Sequence, residues 1–428
     1  MDDLFADLTW RGVIHQVTDP QHLPRWLATG SRTLYAGIDP TADSLHVGHL
    51  MAVMLLRRFQ HHGHRPIALV GGATGMIGDP SGKSQERNLL DVDTLRANIA
   101  GMEGQLRRLL DFESSTAPAV LVNNYDWMSR FGVLDFLREV GKHAPVSVML
   151  AKESVKDRLE RGEEGISFTE FSYMLLQAYD FAYLHERYGC ELQVGGSDQW
   201  GNITAGIDLA RRLRGAKLYG LTCPLLTRSD GAKMGKTEQG AVWLSPARTS
   251  PYQFYQYWIN VDDADAGTCL RYLTELDQEE IESLDRSRAD EPQLRNSQRR
   301  LADELTRMIH GDAGLSAALR ATEVFFGAEI EHLGDRELAE IFADVPSTSL
   351  PRGRLENGGL SLVEALVESG LAKGKGDARR TIEQGGAYVN NRRFGDVEAR
   401  LTANDLAGET ILVLRKGRKN YALLKFTE

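Results

Sequence analysis

Long apolar runs, leader features and paired cysteines are absent from this sequence of 428 residues. No run approaches the roughly 20 apolar residues that a membrane-spanning helix requires. The chain starts with MDDLFADLTWRG, which is acidic and lacks the apolar centre of a signal peptide. Cys190, Cys223 and Cys269 lie far apart without a CxxC pair, so neither a disulfide framework nor a structural zinc site is indicated. These absences predict a cytoplasmic location.

Basic residues are outnumbered by acidic ones, which argues against nucleic-acid binding over the whole surface. The chain has 50 Lys and Arg against 60 Asp and Glu, a net charge of −10. Residues 361–428 hold 12 basic and 9 acidic side chains, a net charge of +3, which leaves −13 for residues 1–360. A basic end on an acidic body indicates that an anionic partner meets the end of the chain.

Short apolar runs alternate with helical patterns over residues 1–225. The runs that read as buried strands are Thr33–Ile38, Ile67–Gly71, Val120–Asn123 and Leu192–Gly195. This alternation predicts an α/β fold with a doubly wound parallel sheet, a Rossmann-like candidate catalytic domain. In such folds ligands bind where strands end and helices begin.

The remaining residues divide into shorter parts, in keeping with the two to four domains expected for this length. We interpret 226–247 as a mobile linker with a lysine loop and 248–326 as a small helical domain. Turn residues in 327–359 indicate a second linker. Residues 360–428 read as a C-terminal α/β module.

The segment HVGH, residues 46–49, follows the first strand and starts a helix. Free amide groups at a helix start favour a phosphate, and imidazoles that donate to phosphate oxygens stabilise a phosphoryl-transfer transition state. Gly48 lets a nucleotide approach the backbone. An ordinary helix start with two histidines explains HxGH alone equally well.

A second candidate motif is the lysine loop Lys233-Met234-Gly235-Lys236-Thr237. Two lysines on a loop with glycine can close over a triphosphate and neutralise departing pyrophosphate. A solvated lysine turn is the better interpretation for this motif alone. Together with HVGH upstream, the functional interpretation is favoured.

The segment GGATGMIGDPSGKS resembles a P-loop only at its end. The pattern GxxxxGK[ST] requires glycine at Ile77, and Gly78 stands one residue too late. We therefore predict a glycine turn near a nucleotide, with Asp79 directed at the substrate and Lys83 and Arg87 on a basic flap.

The helical segment FTEFSYMLLQAYDFAYLH carries Tyr173, Gln177 and Asp180 on one stripe. The segment has no basic residue beside Asp180, so a buried Asp180 needs a hydrogen-bond donor, which a bound ligand can supply. A partly exposed polar stripe is the alternative. The next strand ends in QVGGSDQ, where two glycines permit close ligand approach.

These motifs carry a family resemblance. HVGH and KMGKT resemble the two signatures of class I aminoacyl-tRNA synthetases, with Gly235 where the second consensus has serine. LYAGIDPTADSLHVGHL, TEFSYMLLQAYDF and GGSDQWGNI resemble the bacterial tyrosyl-tRNA synthetases, and the likeness extends over essentially the whole chain. The resemblance implies activation of tyrosine by ATP, with release of pyrophosphate, and transfer of tyrosine to the terminal ribose of tRNA(Tyr).

The resemblance also implies site residues. Those expected to bind tyrosine are Tyr35, Asp79, Tyr173, Gln177, Asp180 and Gln199. Those expected around ATP and its ribose are Gly37, Asp39, Gly48, Gly195, Asp198 and Lys236. Those expected to stabilise the transition state are Thr41, His46, His49, Lys83, Arg87, Lys233, Lys236 and Thr237. Ala36 and Ala52 depart from family members with cysteine and threonine there, which puts the affinity for ATP in doubt.

The sequence shows no dedicated carboxylate cage for a metal ion, so Mg²⁺ is expected to arrive with ATP, and no bound metal or tight cofactor is expected. By the same resemblance, three further expectations concern the partners of the chain. The inserted segment at about residues 125–165 is expected to form a homodimer interface, and the helical domain to face the anticodon side. The C-terminal module resembles a small RNA-binding fold. The residues expected to bind tRNA are Lys373, Lys375, Arg379, Arg380, Arg415, Lys416, Arg418 and Lys419.

Three other interpretations remain open from the sequence. One is the tryptophan enzyme of the same class, against which Tyr35 and Asp180 argue. Another is a nucleotidylyltransferase that uses only the HVGH turn and needs no RNA module. The third is a noncatalytic RNA-binding protein, disfavoured because both signatures are intact.

Overall fold

The computed structural model describes residues 3–79, 91–152, 155–156, 159, 166–237, 240–330, 333–342, 345–356 and 358–427. The chain forms two compact units. The first comprises Met1–Thr249 and Tyr257–Ile309, and the second comprises Ser250–Gln256 and His310–Glu428. No described helix combines the length and apolarity needed to cross a membrane.

The first unit is built on a twisted sheet. Its strands are β1 (Gln16–Val17), β2 (Thr33–Ile38), β3 (Arg65–Val70), β4 (Val120–Asn123), β5 (Cys190–Gly196) and β6 (Tyr219–Cys223), with a separate pair β7 (Lys236–Thr237) and β8 (Gly240–Ala241). Within the described ranges the sheet order is β1-β6-β5-β2-β3-β4. All neighbours are parallel except β1, which is antiparallel to β6. The predicted doubly wound α/β fold is confirmed.

The chain order places a ligand crevice between β2 and β5. From β2 the chain proceeds outward through β3 and β4, then returns to the other side of β2 as β5 and β6. At such a switch point the loops after the two central strands diverge and leave an opening at their carboxyl ends. Tyr35 and Gly37 on β2 and Gly196 at the end of β5 line this opening.

The helices of this part of the chain cover both faces of the sheet. They are α1 (Leu4–Trp10), α2 (Leu23–Ala28), α3 (Leu50–His61), α4 (Thr74–Ile77), α5 (Val92–Leu109), α6 (Tyr125–Met128), α7 (Val133–Glu139), α8 (Val146–Leu150), α9 (Phe168–Tyr188) and α10 (Trp200–Arg214). Four of the six residues of β2 are buried, as expected for a parallel strand covered on both faces, and Gly37 is exposed where the crevice opens.

Helix α9 bounds the crevice, and its ends have clear local causes. The Ser167 hydroxyl accepts a hydrogen bond from the Glu170 amide (3.2 Å), which caps the first turn. Gly189 adopts a left-handed backbone (φ 64°) that ends the helix. The helix predicted from FTEFSYMLLQAYDFAYLH is confirmed, and its polar stripe faces the cavity.

The region predicted as a helical domain contains α11 (Pro251–Ile259), α12 (Asp263–Leu273), α13 (Gln278–Asp290) and α14 (Asn296–Phe325), the last interrupted at Gly311. Its helical character agrees with the prediction. Its grouping differs, because Tyr257–Ile309 belongs to the first compact unit and 310–325 to the second. Sequence periodicity identifies helices but does not indicate which core they pack against.

The second unit contains a small sheet flanked by short helices. Its elements are α15 (Asp335–Ile341), β9 (Ser347–Pro351), β10 (Leu360–Ser361), α16 (Leu362–Glu368), α17 (Lys375–Glu383), β11 (Ala387–Val389), β12 (Arg392–Phe394), β13 (Arg400–Leu401), β14 (Ile411–Lys416) and β15 (Asn420–Thr427). In the described residues its main sheet has the order β12-β11-β14-β15-β9, and β10 pairs with β13.

The interpretation of 327–359 as a linker is wrong for its central part. α15 lies in it, and β9 pairs in parallel with β15 as an edge strand. β9 has the sequence STSLP, in which only Leu350 is buried and Pro351 ends the strand. Proline and polar residues suit an edge strand, which is why this strand resembles a turn in the sequence.

Candidate active site

A cavity of about 380 Å³ opens at the carboxyl ends of β2, β5 and β6. The predicted site residues that line it are Tyr35, Gly37, Asp39, Thr41, His46, Gly48, His49, Asp79, Tyr173, Gln177, Asp180, Asp198, Gln199, Lys233 and Lys236. Gly195 lies just behind the lining, where an added Cβ would approach the Gln199 Cβ to 3.2 Å. Ala52 also lines the cavity.

Three predicted residues cannot be placed. Lys83 and Arg87 lie outside the described residues. Thr237 ends strand β7, but its side chain is outside the described part of the chain. Their predicted roles stay predictions.

The deep end of the cavity holds the buried Asp180 carboxyl group, 1% exposed. The Trp127 indole Nε1 donates to its Oδ1 (2.8 Å), and the Asn124 amide Nδ2 donates to its Oδ2 (3.0 Å). Burial raises the pKa of Asp180 to about 7 against the opposing effect of these two donors. The expectation that a ligand must supply a donor is therefore wrong in part, because the protein already supplies two.

Asn124 and Trp127 were missed by the sequence analysis. Both follow β4, whose end lies at the same edge of the sheet as the ends of β2 and β3. That shared edge was the available signal. The lack of a basic residue near Asp180 in the sequence did not indicate these partners, because neutral amide and indole groups satisfy the carboxyl group.

The Tyr35 hydroxyl lies beside Asp180 and lacks a hydrogen-bond partner among the described residues. Burial, and next the Asp180 charge, raise the pKa of Tyr35 well above its ordinary value. The phenol therefore stays protonated. A buried hydroxyl without a partner is costly, so this end of the cavity is prepared for a polar group of a ligand.

A polar network forms the middle of the cavity. Tyr173 OH donates to Asp39 Oδ2 (2.9 Å), and Thr74 Oγ1 donates to Asp39 Oδ1 (2.7 Å). Gln177 Nε2 donates to Gln199 Oε1 (3.1 Å). The Gln177 Oε1 atom is buried without a partner in the described ranges. This carbonyl oxygen is available to a cationic donor.

The Asp79 carboxylate lies at the edge of this network. Gln199 Nε2 donates to Asp79 Oδ2 (2.8 Å). Asp198 is nearby, because Asp79 raises the pKa of Asp198 in addition to the larger effect of burial. The middle of the cavity is thus rich in acceptors.

The HVGH turn has a defined protonation state. The His46 amide donates to His49 Nδ1 (3.1 Å), and the Gly48 amide donates to His46 Nδ1 (3.1 Å). Burial lowers the pKa of His49 to about 3, and burial followed by the nearby Lys236 charge lowers the pKa of His46. Both rings are neutral at pH 7, and because each Nδ1 accepts, each Nε2 carries the proton and can donate.

Both lysines of the loop line the same cavity as the histidines. Lys236 lies near His46, whose pKa it lowers, and Lys233 lies near Asp198, whose pKa it lowers against the larger effect of burial. The His46 and His49 rings are stacked, with centroids 3.8 Å apart. Neutral N–H donors and two ammonium groups in one cavity suit a polyanion such as a triphosphate.

The residues predicted to bind tRNA lie in the second unit, and they differ in exposure and in their partners. Arg415 is 8% exposed, and its guanidinium lies 3.9 Å from the centroid of the Tyr388 ring. Its predicted contact with RNA is wrong, because the Arg415 side chain packs inside the unit, on a strand whose residues 411–415 are all buried. Lys416 Nζ donates to Asp377 (2.8 Å), and Lys375 Nζ donates to Glu364 (3.3 Å).

The other predicted basic residues of this unit are exposed. They are Lys373, Arg379, Arg380, Arg418 and Lys419. Exposed cations without fixed geometry are compatible with phosphate contacts, so these residues stay predictions.

Comparison with known proteins shows which families this chain resembles. The family model described as "tRNA synthetases class I (W and Y)" matches residues 28–327, and the model "Tyrosine--tRNA ligase SYY-like C-terminal domain" matches residues 337–424. The chain is 57% identical to a tyrosine–tRNA ligase of Rhodopirellula baltica, over 100% of this chain and 97% of that protein. It is 51% identical to a tyrosine–tRNA ligase of Geobacillus stearothermophilus, over 99% of this chain and 100% of that protein.

A solved structure is also similar to this chain. It is a C-terminally truncated mitochondrial tyrosyl-tRNA synthetase of Aspergillus nidulans, 32% identical, with a TM-score of 0.69. The likeness covers 76% of this chain and 94% of that one.

Proposed function

The chain belongs to the family of tyrosine–tRNA ligases and joins tyrosine to transfer RNA, and on this basis we propose that the cavity described above is where tyrosine and ATP react. The proposal depends mainly on one observation, which is the Asp180 carboxyl group beside the Tyr35 hydroxyl at the deep end of the cavity. A phenol hydroxyl placed there donates to the Asp180 carboxylate and accepts from the Tyr35 hydroxyl. An indole N–H can donate to Asp180 but cannot accept from the Tyr35 hydroxyl, and an unsubstituted ring can do neither, which favours tyrosine over tryptophan and phenylalanine.

The middle of the cavity is proposed to bind the tyrosine ammonium group. Asp79, the Tyr173 hydroxyl and the orphaned Gln177 Oε1 atom are acceptors that suit a cation. Gln199, which hydrogen-bonds to both Asp79 and Gln177, orients them and lies near the substrate carboxylate. The amino acid would thus lie with its ring inward and its carboxylate toward the histidine turn.

ATP is proposed to occupy the open end, with magnesium carried by the nucleotide. Asp39, Gly37 and Asp198 surround the ribose region, and the Nε2–H donors of His46 and His49 meet the phosphates. Lys233 and Lys236 neutralise the departing pyrophosphate. Lys83, Arg87, Thr41 and Thr237 are proposed to assist.

The first step follows from these positions. A tyrosine carboxylate oxygen attacks the α-phosphorus of ATP, the bond to the β-phosphate oxygen breaks, and pyrophosphate leaves. The carboxylate is already ionised at neutral pH, so no general base is needed. The protein contributes alignment and stabilisation of the charge that develops on the phosphates. In the second step the terminal ribose hydroxyl of the tRNA attacks the tyrosyl carbonyl carbon, and AMP leaves.

Tyrosine-dependent exchange of labelled pyrophosphate into ATP tests this function. We expect exchange with tyrosine and negligible exchange with equal concentrations of tryptophan or phenylalanine. If tryptophan supports faster exchange than tyrosine, the proposed substrate is wrong and tryptophan takes its place. Exchange that is independent of any amino acid would favour a nucleotidylyltransferase instead.

We also propose that the second unit binds tRNA(Tyr) through exposed cations. Replacing Lys373, Arg379 and Arg380 together with alanine is expected to weaken tRNA binding and to reduce the slope of log K against log salt by up to about 3. Filter binding between 50 and 200 mM salt measures both quantities. Tyrosine-dependent pyrophosphate exchange is the control and should be unchanged. An unchanged salt slope would contradict the proposal.

A homodimer is proposed from exposed apolar side chains in the segment that connects β4 to α9. Val133, Leu134 and Val146 are 77%, 75% and 58% exposed, an unfavourable state for a lone chain. The double variant Val133→Asp, Leu134→Asp is expected to convert a two-chain particle into a single chain in sedimentation velocity at micromolar concentration. Leu294→Asp, at a leucine 42% exposed elsewhere, is the control. A wild-type mass of one chain would refute the dimer.

The cytoplasmic location stays a prediction.

A further inference from the structure

The segment that carries the two lysines, residues 226–237 and 240–241, contains a tight hairpin before Gly235 and the strand pair β7–β8 after it. In the hairpin, the Met234 amide donates to the Leu226 carbonyl (2.9 Å) and the Arg228 amide to the Ala232 carbonyl (2.8 Å). Lys233 therefore belongs to the hairpin and Lys236 to strand β7. We refer to residues 226–237 and 240–241 as the lysine segment.

Helices α11 and α12 hold the lysine segment at its junction. The Gly235 amide donates to the Tyr257 hydroxyl (2.7 Å). Met234, next to it, is 5% exposed, and its Sδ lies 3.4 Å from Cys269 Sγ. Tyr257 and Cys269 belong to the same compact unit as the lysine segment. The junction is thus fixed by a hydrogen bond and a buried apolar contact.

A third anchor holds the tip of the hairpin. The buried Asp265 carboxylate, 5% exposed, accepts a hydrogen bond from the Ser229 amide (2.7 Å). Asp265 also lies near Tyr257, because it adds to the effect of burial in raising the pKa of that phenol to about 12. Tyr257 stays protonated at neutral pH. We refer to Tyr257, Asp265 and Cys269 as the dock.

The docked junction packs directly on the histidine turn. Gly235 has φ 81°, and a Cβ at this position would lie 2.8 Å from the Val47 Cβ. The Val47 amide donates to the Val242 carbonyl (3.0 Å), and the Val242 amide donates to the Gly235 carbonyl (2.8 Å). Only a glycine permits this approach without displacement. The position of both lysines relative to His46 therefore depends on how the junction is held.

We propose that the dock holds the lysine segment against the histidine turn and that Tyr257 is a positioning residue for the first step of the reaction. Tyr257 does not touch the substrate. It orders Gly235, and through Gly235 the two lysines that meet the phosphates. This inference rests on the proposed use of ATP at this end of the cavity. It assigns a role to a side chain outside the cavity lining.

Tyr257→Phe tests the proposal, because phenylalanine retains the ring and removes only the hydroxyl that accepts from Gly235. Loss of one hydrogen bond is expected to lower the rate of adenylate formation, or to raise the KM for ATP, by about three- to ten-fold. The dissociation constant for tyrosine and the Tm should stay unchanged. Cleavage by trypsin after Lys233 and Lys236, followed by mass spectrometry, should accelerate to a similar extent.

Tyr272→Phe is the matched control. Tyr272 is a half-buried tyrosine on α12 whose hydroxyl lies beside Gly12 and, among the described residues, makes no hydrogen bond to the lysine segment. It should behave as the wild type in every assay. Suppose that the wild type exchanges pyrophosphate into ATP and that Tyr257→Phe and Tyr272→Phe have the same rate of adenylate formation and the same KM for ATP. The proposed role of the dock is then refuted, but the proposed function stands. If the wild type itself shows no tyrosine-dependent exchange, the proposed function fails.

Gly235→Ala provides an independent test from the other side of the junction. The added Cβ would displace the lysine segment from Val47. We therefore expect the same decrease in the rate of adenylate formation, or the same increase in the KM for ATP, as for Tyr257→Phe. Because both variants would disturb one docked state, their effects should not add in the double variant. Additive effects, or a parallel loss of tyrosine affinity, would overturn the proposal and indicate a general structural role.

Discussion

His46→Ala is expected to slow formation of tyrosyl adenylate by about 10²- to 10³-fold, as expected for removal of one well-placed donor to a developing negative charge. The dissociation constant for tyrosine should stay within about two-fold of wild type, because His46 lies at the end of the cavity proposed for the phosphates. The neutral imidazole, with its proton on Nε2, makes its strongest interaction in the transition state. Single-turnover fluorescence or quenched-flow assays measure the rate, and equilibrium dialysis measures the binding of tyrosine.

A matched control is a histidine at the end of α3, the helix that follows the HVGH turn. His61 at the end of α3 is exposed and lies 3.4 Å from Glu275, so His61→Ala should leave the rate unchanged. Equal losses of tyrosine affinity and of rate in His46→Ala would contradict the assignment. That outcome would place His46 next to the amino acid instead of the triphosphate.

Asp180→Asn is expected to weaken tyrosine binding by about 10²-fold, since a hydrogen bond to a charged group contributes about 1.5–3 kcal/mol. Asparagine preserves the shape but has one acceptor oxygen, whereas Asp180 uses both oxygens for Asn124 and Trp127. A substrate hydroxyl then competes with buried donors for a single acceptor. The KM for ATP should change little. Asp93→Asn, at an exposed carboxylate of α5, is the control.

The same group predicts a pH dependence. In the ligand-free protein the pKa of Asp180 is raised to about 7, and the ionised form is the one that accepts from the substrate phenol. Tyrosine affinity should therefore fall as the pH decreases below about 7, by up to ten-fold per pH unit. Asp180→Asn should abolish this dependence. A wild-type tyrosine affinity that is flat between pH 5 and 8 would contradict the role of Asp180.

The raised pKa has the opposite consequence for folding of the ligand-free chain. Between its ordinary value near 3.8 and about 7, the folded state binds more protons at Asp180 than the unfolded state. This group therefore lowers the free energy of unfolding as the pH rises through that window. A buried carboxyl that costs stability and serves binding is typical of a functional site.

Much of the fold and of the candidate site can be predicted from the sequence, because many of the site residues lie in local sequence patterns. Alternating strands and helices predict the sheet and the crevice at its carboxyl edge, which brings Tyr35 on β2 and the HVGH turn after it close to QVGGSDQ at the end of β5. Helical spacing alone places Tyr173, Gln177 and Asp180 on one face of α9. These inferences need only periodicity and topology.

What the sequence did not indicate depends on contacts between distant segments. Trp127 and Asn124 satisfy Asp180, and Tyr257 holds Gly235, through pairings that no spacing rule specifies. Arg415 was misassigned because a basic run in the sequence resembles a solvated surface, whereas the structure buries Arg415 against the Tyr388 ring on a strand that is buried from residue 411 to residue 415. Charge composition describes how many cations a module has, but not which of them are exposed.

A crystal structure with tyrosine and a nonhydrolysable ATP analogue tests the central claim most directly. We predict the substrate hydroxyl within about 3 Å of both the Asp180 carboxylate and the Tyr35 hydroxyl, as hydrogen bonds require, with His46 and Lys236 facing the phosphates. A tyrosine ring that lies away from Asp180, or a triphosphate that His46 and Lys236 do not reach, would contradict it.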